Sequence, residues 1–194
     1  MPKTYPVVRR SPLLIIVTGA PATGKSTLAP VLAQRFSCTL IEKDVIKEEL
    51  FDLLGTGDAS WSRRLSDASF ATMFSLAGNA IEMGAGVVLE GNFRAGEHER
   101  AIRESLAGCA SSVRVVQILC TAPEALRRER LEHRARSAER HEGHLDAAGV
   151  FPPAVDAFLD LPAARFEYAS ESSKATEKLL AGLDRVVWSE DRTS

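Results

Sequence analysis

Short apolar runs alternate with stretches of helical periodicity along the chain. Leu13-Leu14-Ile15-Ile16-Val17 reads as a first strand, with a helix beginning near Leu28-Ala29-Pro30-Val31-Leu32-Ala33. Thr39-Leu40-Ile41 reads as a second strand, followed by a helix from about Asp44 to Leu54 that Gly55 stops. A long helix is expected from about Trp61 to Met83, with Leu65, Ala68, Thr72, Leu76 and Ile81 near helical spacing. Gly84-Ala85-Gly86 breaks it ahead of a third strand, Val87-Val88-Leu89, and Val113 to Cys120 is the fourth. Thr121-Ala122-Pro123-Glu124 reads as a capping box with proline in the first turn, opening an arginine-rich helix. A fifth strand is expected near Phe166-Glu167-Tyr168, before a last helix from about Lys174 to Leu183. The alternation predicts an α/β fold: a mostly parallel five-stranded sheet with helices on both faces, ligands gathering at the carboxyl ends of the strands. The chain reads as one domain over residues 1–194, with a lid and loop insertion over about 127–162. Within it, Glu142 to Pro162, rich in Ala, Gly and Pro, is expected to be a mobile loop or short-helix insertion. The first ten and last six or so residues are expected to be disordered.

Composition narrows the class. A chain of 194 residues can bury a sizeable core as one domain. The net charge of −2 and the pI near 6.1 argue against a protein that coats nucleic acid. Cys38, Cys109 and Cys120 are odd in number, widely spaced and lack a paired motif, which points to reduced thiols in a cytoplasmic setting. Arg9-Arg10 ahead of Leu13 to Val17 mimics a signal peptide, but the apolar run is too short, and no other run approaches a membrane span.

The chemistry starts at Gly19-Ala20-Pro21-Ala22-Thr23-Gly24-Lys25-Ser26-Thr27, which lies between the first strand and its helix. Glycine, four residues, then glycine-lysine-serine is the spacing of a phosphate-binding loop, in the strand–loop–helix context that supports it. Gly19 and Gly24 allow positive φ angles, so that a row of backbone N–H groups can curl around phosphates at a helix N-terminus. Lys25 can reach the β- and γ-phosphates and the Ser26 hydroxyl can ligate Mg²⁺. A glycine-rich turn before a surface helix is the plainer alternative. Pro30 lacks the N–H that would bond back near Ser26, and a kink in the first helix is expected there.

Other candidates gather beyond the strand ends. Asp44 follows the second strand, where a carboxylate can accept the proton of a hydroxyl attacking the γ-phosphorus or can serve as the helix N-cap. Lys47, one turn on, can hold substrate or a phosphate, or be an ordinary solvated lysine. Glu90 ends the third strand, where an acidic residue often lies near Mg²⁺, commonly through water. Asn92 and Arg94, in the Gly91–Arg94 turn, can grip substrate or simply lead into the next helix. Arg127, Arg128, Arg130, Arg134, Arg136 and Arg140 are interleaved with Glu124, Glu129, Glu132 and Glu139. They suit a salt-bridged solvated helix, a lid over a triphosphate or, less well for want of aromatic residues, a nucleic-acid patch. Arg130 and Arg134 share a face and can point inward together, with Arg127 and Arg128 expected toward solvent. His133, His141 and His144 have no cysteine close in sequence, which argues against zinc.

Taken together, residues 13–145 resemble the P-loop small-molecule kinases of the AAA-domain type, close to chloramphenicol phosphotransferase and the zeta toxins. Polynucleotide kinase and adenylate kinase are more distant likenesses. The resemblance rests on Gly19 to Thr27, on Ile41 to Lys47, and on Ala122-Pro123-Glu124 through Arg130, Arg134 and Arg140-His141-Glu142-Gly143-His144. It implies a three-layer P-loop NTPase fold with an arginine-rich lid, ATP and Mg²⁺ as cofactors, and Asp44 as the base on the acceptor hydroxyl. It also implies Arg130 near adenine, with Arg134 and Arg140 on the phosphates. Two positions depart from the pattern: Glu90 stands where aspartate is commoner, and Lys47 where the family has arginine.

The expected activity is transfer of the γ-phosphate of ATP to a hydroxyl of an antibiotic, sugar, nucleoside or nucleotide sugar. Asp44, Lys25, Arg134 and Arg140 would act on the reacting groups. Lys47, Asn92 and Arg94 would hold the acceptor, and Ser26 and Glu90 the metal. A nucleotide-dependent switch acting through a protein partner and a polynucleotide end-kinase are the alternatives; nucleic acid is disfavoured by charge, no membrane is expected, and the oligomeric state is not legible.

Overall fold

The computed structural model describes residues 11–109, 113–136, 141 and 157–188. Five strands and six helices follow the order β1 (Leu13–Thr18), α1 (Lys25–Phe36), β2 (Thr39–Glu42), α2 (Lys43–Leu54), α3 (Ala59–Glu82), β3 (Val87–Glu90), α4 (Glu99–Ser105), β4 (Arg114–Thr121), α5 (Glu124–Arg136), β5 (Ala164–Ala169) and α6 (Ala175–Val187). The strands form one sheet in the order β2-β3-β1-β4-β5, and every pairing is parallel.

β1 is buried along its whole length because it serves two cores. Leu14 and Ile16 point to one face, where they meet Val87, Leu89, α3 residues Phe70, Met73, Phe74, Ala77 and Ile81, and Ile102 of α4. Leu13, Ile15 and Val17 point to the other, against Leu28 and Leu32 of α1 and Leu179 and Leu183 of α6. The period of two in a strand sends alternate residues to opposite layers, so a continuous apolar run is what a doubly covered strand requires. The register sets Val17 beside Glu90, and Glu42 beside Glu90 on its other flank. The carboxyl ends of β1, β2 and β3 therefore lie level, and the segments after them emerge at one edge.

Three expectations change, and the place of Pro30 in its helix becomes plain. The buried stripe of α3 is Leu65, Ser69, Phe70, Met73, Phe74, Ala77 and Ile81. Ala68, Thr72 and Leu76 are exposed, because the two adjacent phenylalanine-bearing turns rotate the apolar face away from the expected row. Pro30 lies inside α1 at an exposed position, and the helix continues to Phe36. Thr121 still belongs to β4 and α5 begins at Glu124, so the capping box does not form; Glu124 instead pairs with Arg128 at 3.1 Å. The end of the expected mobile segment is packed: Leu159 and Leu161 join the α3-side core, and the Gln117 side chain both donates to the Leu159 carbonyl (3.1 Å) and accepts from its N–H (2.8 Å). Residues 142–156, and both expected disordered ends, lie outside the described residues.

Candidate active site

The loop between β1 and α1 is held in a conformation its glycines make possible. Gly19 has φ +134° and Gly24 φ +89°. A Cβ on Gly19 would sit 2.2 Å from the Cys120 carbonyl oxygen, and one on Gly24 3.0 Å from Ser170 Cβ. Ala22 also takes a positive φ of 65°. The loop carries its own internal bonds: Thr23 Oγ1 donates to the Ala20 carbonyl at 2.8 Å, and Lys25 Nζ donates to the same carbonyl at 2.9 Å. The result is a backbone cradle at the start of α1, the geometry that suits phosphate oxygens.

Lys25 is buried and lies 4.0 Å from Glu90 Oε1. Burial pulls its pKa down, opposed chiefly by the Glu90 carboxylate. Glu90, at the end of β3, is pushed up to about 7 by burial, with Lys25 pulling the other way. Ser26 lies in the first turn of α1 and is exposed. A hydroxyl and a carboxylate are the hard oxygen donors a Mg²⁺ ion takes, and the desolvated Glu90 carboxylate favours a cation nearby, so these two residues fit the metal the loop implies.

Asp44 does not cap α2. The cap position is Glu42, and Asp44 lies in the first helical turn with its side chain mostly exposed, paired with Lys43 Nζ at 2.8 Å. Lys43 is buried, its ammonium 5.9 Å from the centre of the Phe70 ring. Lys47 is not solvated: it is buried between α2 and α3, donating to Ser62 Oγ at 2.8 Å and lying 5.2 Å from the Phe51 ring centre. Its pKa falls to about 8, through burial first and Lys43 repulsion second. Asn92 presents a buried side-chain oxygen with no partner. Arg94 is committed to Glu97 at 2.9 Å, and its backbone N–H donates to His98 Nδ1 at 2.9 Å.

Helix α5 crosses the loop. Arg127 is buried and its Nε donates to the Pro21 carbonyl at 3.1 Å, so the expectation that it faces solvent does not hold. Arg130 Nη1 donates to the Ala22 carbonyl at 3.0 Å and to Ser170 Oγ at 2.8 Å. Positions 127, 130 and 134 share one face through i, i+3, i+7 spacing, which sets three arginines toward the loop. Arg128 is exposed and pairs within its own helix. Arg140 and His144 lie outside the described residues. His141 meets α2, stacked on Phe51 and 3.0 Å from Asp52 Oδ1.

Two cavities open at this edge. One, of about 700 Å³, is bounded by Gly24, Thr27, Arg130, His133, Tyr168 and Ser170. The other, of about 310 Å³, is bounded by Lys25, Asp44, Lys47, Glu90, Asn92 and Arg94. Ala22, Gly24, Ser26 and Arg134 line both. Sequence reasoning missed Lys43, Ser62, His98, Tyr168 and Ser170. Lys43 carried a usable signal, since it adjoins Asp44 at the strand end; the other four have ordinary sequence surroundings and are recruited by the tertiary fold.

A parallel sheet in this order, a glycine-framed loop before α1 and an arginine-bearing helix over that loop define the P-loop fold that small-molecule kinases share. The chain belongs to the AAA domain family, whose model matches residues 14–149. No curated protein matches it. Among solved structures it is similar to a "putative kinase" from Chloroflexus aurantiacus J-10-fl, with TM-score 0.82 and 27% identity, covering 91% of this chain and 98% of that one. The APS kinase CysC of Mycobacterium tuberculosis, solved with AMPPNP and APS, shares the fold at TM-score 0.58 and 16% identity, over 91% of this chain and 98% of that one. A gluconokinase from Sinorhizobium meliloti 1021 shares it at TM-score 0.55 and 18% identity, over 96% of this chain and 99% of that one. Among the described residues no helix is long and apolar enough to cross a membrane, and no group of three or more His, Cys, Asp or Glu residues is placed to hold a metal ion.

Proposed function

We propose that the chain transfers the γ-phosphoryl group of ATP to a hydroxyl of a small molecule. The observation that carries this reading is the meeting of the two cavities at Ser26 and Arg134, with the phosphate cradle between them and Asp44 on the far wall. The larger cavity has room for a nucleoside, and Arg130, fixed to Ala22 and Ser170, lies along it where adenine would rest. The smaller takes the acceptor against Asp44, Lys47, Asn92 and Arg94.

Asp44 accepts the proton of the acceptor hydroxyl as its oxygen attacks the γ-phosphorus; the bond to the β–γ bridging oxygen breaks and ADP leaves. Lys25 follows the γ-phosphoryl group from its place beside Glu90, and Arg134, with Arg140, spreads positive charge over the oxygens where it develops. Ser26 and Glu90 would hold Mg²⁺, which when bound draws charge off the phosphate oxygens. The α5 arginines bring the lid onto the loop, and closure excludes the water that would otherwise compete with the acceptor. Cys38, Cys109 and Cys120 form no disulfide, in keeping with a cytoplasmic setting where ATP is plentiful.

The test is a mass-spectrometric screen with MgATP against antibiotics, sugars, sugar acids, nucleosides, nucleotide sugars and oligonucleotide ends, with Asp44→Ala in parallel. A phosphorylated product from the wild type is expected. Asp44→Ala should lower turnover by about 10²–10⁴-fold, the usual span for a general base, with nucleotide affinity within about twofold. Equal loss of transfer and of nucleotide binding would overturn the assignment of the base.

A further inference from the structure

The cavity that holds Asp44 carries more positive charge than one transferring phosphoryl group calls for. Lys25, Lys43, Lys47, Arg63, Arg94 and Arg134 line it, against the carboxylates of Asp44, Asp67 and Glu90. Three of these cations are matched: Lys25 faces Glu90 at 4.0 Å, Lys43 holds Asp44 at 2.8 Å, and Arg94 holds Glu97 at 2.9 Å. Lys47 is different. It is 7% exposed, and its ammonium has a neutral hydroxyl and an aromatic face for company. Asp44 and Asp67 act on it only through the field, while Lys43 repels it. A buried ammonium without an anion is costly, and a fold retains one where an anion comes to it.

Two further polar groups line the same cavity. His98 Nδ1 accepts the Arg94 N–H, which leaves the ring proton on Nε2 as a donor. The imidazole is walled by Phe70, with ring centres 4.1 Å apart, and burial lowers its pKa, so it is a neutral donor rather than a second cation. The Asn92 side-chain oxygen is buried and unpartnered, in want of a hydroxyl or amide proton.

We propose that the acceptor carries an anionic group, carboxylate or phosphate, and that Lys47, Ser62 and His98 form the subsite that receives it. Asp44 and Lys47 lie three residues apart on α2 and line the same cavity of about 310 Å³. Three residues rise about 4.5 Å along a helix. A cavity of about 310 Å³ that both residues line is on the scale of a hydroxy acid or a phosphorylated polyol rather than a large antibiotic or an oligonucleotide end. The choice of reacting hydroxyl rests on the phosphotransferase reading above; the anion subsite stands on the burial and partners of Lys47.

Calorimetric titration of the full chain tests it, with Mg-AMPPNP bound so that the phosphate cradle is filled. The probes are matched pairs: glycerate with glycerol, gluconate with glucose, glycerol phosphate with glycerol. At least one anionic member should bind tenfold or more tightly than its neutral twin. Lys47→Met should remove that preference and Lys47→Arg should keep it. Whether carboxylates or phosphates show the larger preference separates the two sources of charge. Absence of any preference in the wild type, or a preference that survives in Lys47→Met, overturns the proposal. A parallel product assay separates the two readings: anion preference without phosphoryl transfer keeps the subsite and fails the kinase, while transfer to neutral acceptors alone keeps the kinase and fails the subsite.

Discussion

The cleft has two halves that treat a buried lysine in opposite ways. On the nucleotide side Lys25 is held by the loop itself, donating to the Ala20 carbonyl with the Glu90 carboxylate 4.0 Å away. On the proposed acceptor side Lys47 is held by Ser62 Oγ of α3 and the Phe51 face of its own helix, and among the described residues by no carboxylate. The first site is built from backbone geometry, and its charge is balanced before any ligand arrives. The second is assembled from side chains of two successive helices, and its charge balance is completed by what binds. A phosphate cradle can serve many enzymes because every nucleoside triphosphate offers the same oxygens. An acceptor site must differ from one enzyme to the next, and side chains are where it can.

The contrast breaks most sharply at Gly19. In Gly19→Ala the added methyl would meet the Cys120 carbonyl oxygen at 2.2 Å, at a φ of +134° that side-chain-bearing residues rarely adopt. Strain and overpacking together should cost on the order of 4 kcal/mol, with nucleotide binding lost even where the variant folds. Thermal melting with and without MgATP checks this. A variant that melts like the wild type and gains the same protection from nucleotide would show that the loop is not pinned by β4.

That asymmetry also explains what could be read from the sequence. The loop was legible because glycine, lysine and serine at fixed spacing record a backbone shape, and the strands because a run such as Leu13 to Val17 needs cover on both faces. The level ends of β1, β2 and β3 brought Glu90 and the segment bearing Asp44 to one edge, as the alternation of elements implied. What resisted was whatever depends on where a helix is rotated or which side chain it meets. The α3 stripe lay about one position away from the expected row, since Phe70, Met73 and Phe74 carry the burial that Thr72 and Leu76 do not. Lys47 looked like a solvated lysine because neither Ser62 nor Phe51 announces itself as a partner. Ser170 and Tyr168 reach the nucleotide side only through the pairing of β5 with β4.

The charge imbalance at Lys47 can be sharpened by pH. Its pKa in the fold is about 8 against an ordinary 10.5, so the folded state releases a proton that the unfolded chain still holds between those values. Below about pH 8 the ammonium is charged in both states and its full burial penalty applies. Stability should then rise as pH climbs from about 8 to 10.5, and level off once both states are neutral. Lys47→Met should be more stable than the wild type near pH 7, and the gap should close across that window. Denaturant melts of both proteins at steps of pH isolate the effect from other titrating groups, because they are common to the pair. A gap that stays constant would mean that Lys47 keeps its proton in the fold, through a counter-ion such as Asp44 or Asp67.

The smallest effect falls on the helix over the loop, where two neighbouring arginines should behave unlike each other. Arg127 is 4% exposed and ties α5 to the Pro21 carbonyl at 3.1 Å, whereas Arg128 lies on the outer surface, paired with Glu124. Arg127→Ala removes a charge-assisted hydrogen bond to the loop and leaves that carbonyl short of a donor, at a cost of about 1–3 kcal/mol. The cost should appear as roughly tenfold weaker MgATP binding, with a smaller change in turnover once nucleotide is saturating, because the bond orients the cradle rather than the reacting groups. Arg128→Ala should lie within about 0.5 kcal/mol of the wild type in both stability and affinity. Nucleotide titrations of the two variants decide the matter. Equal effects would mean that α5 is coupled to the loop by its charge as a whole, and unequal effects in the stated direction would mean that single bonds to loop carbonyls hold the nucleotide half in shape.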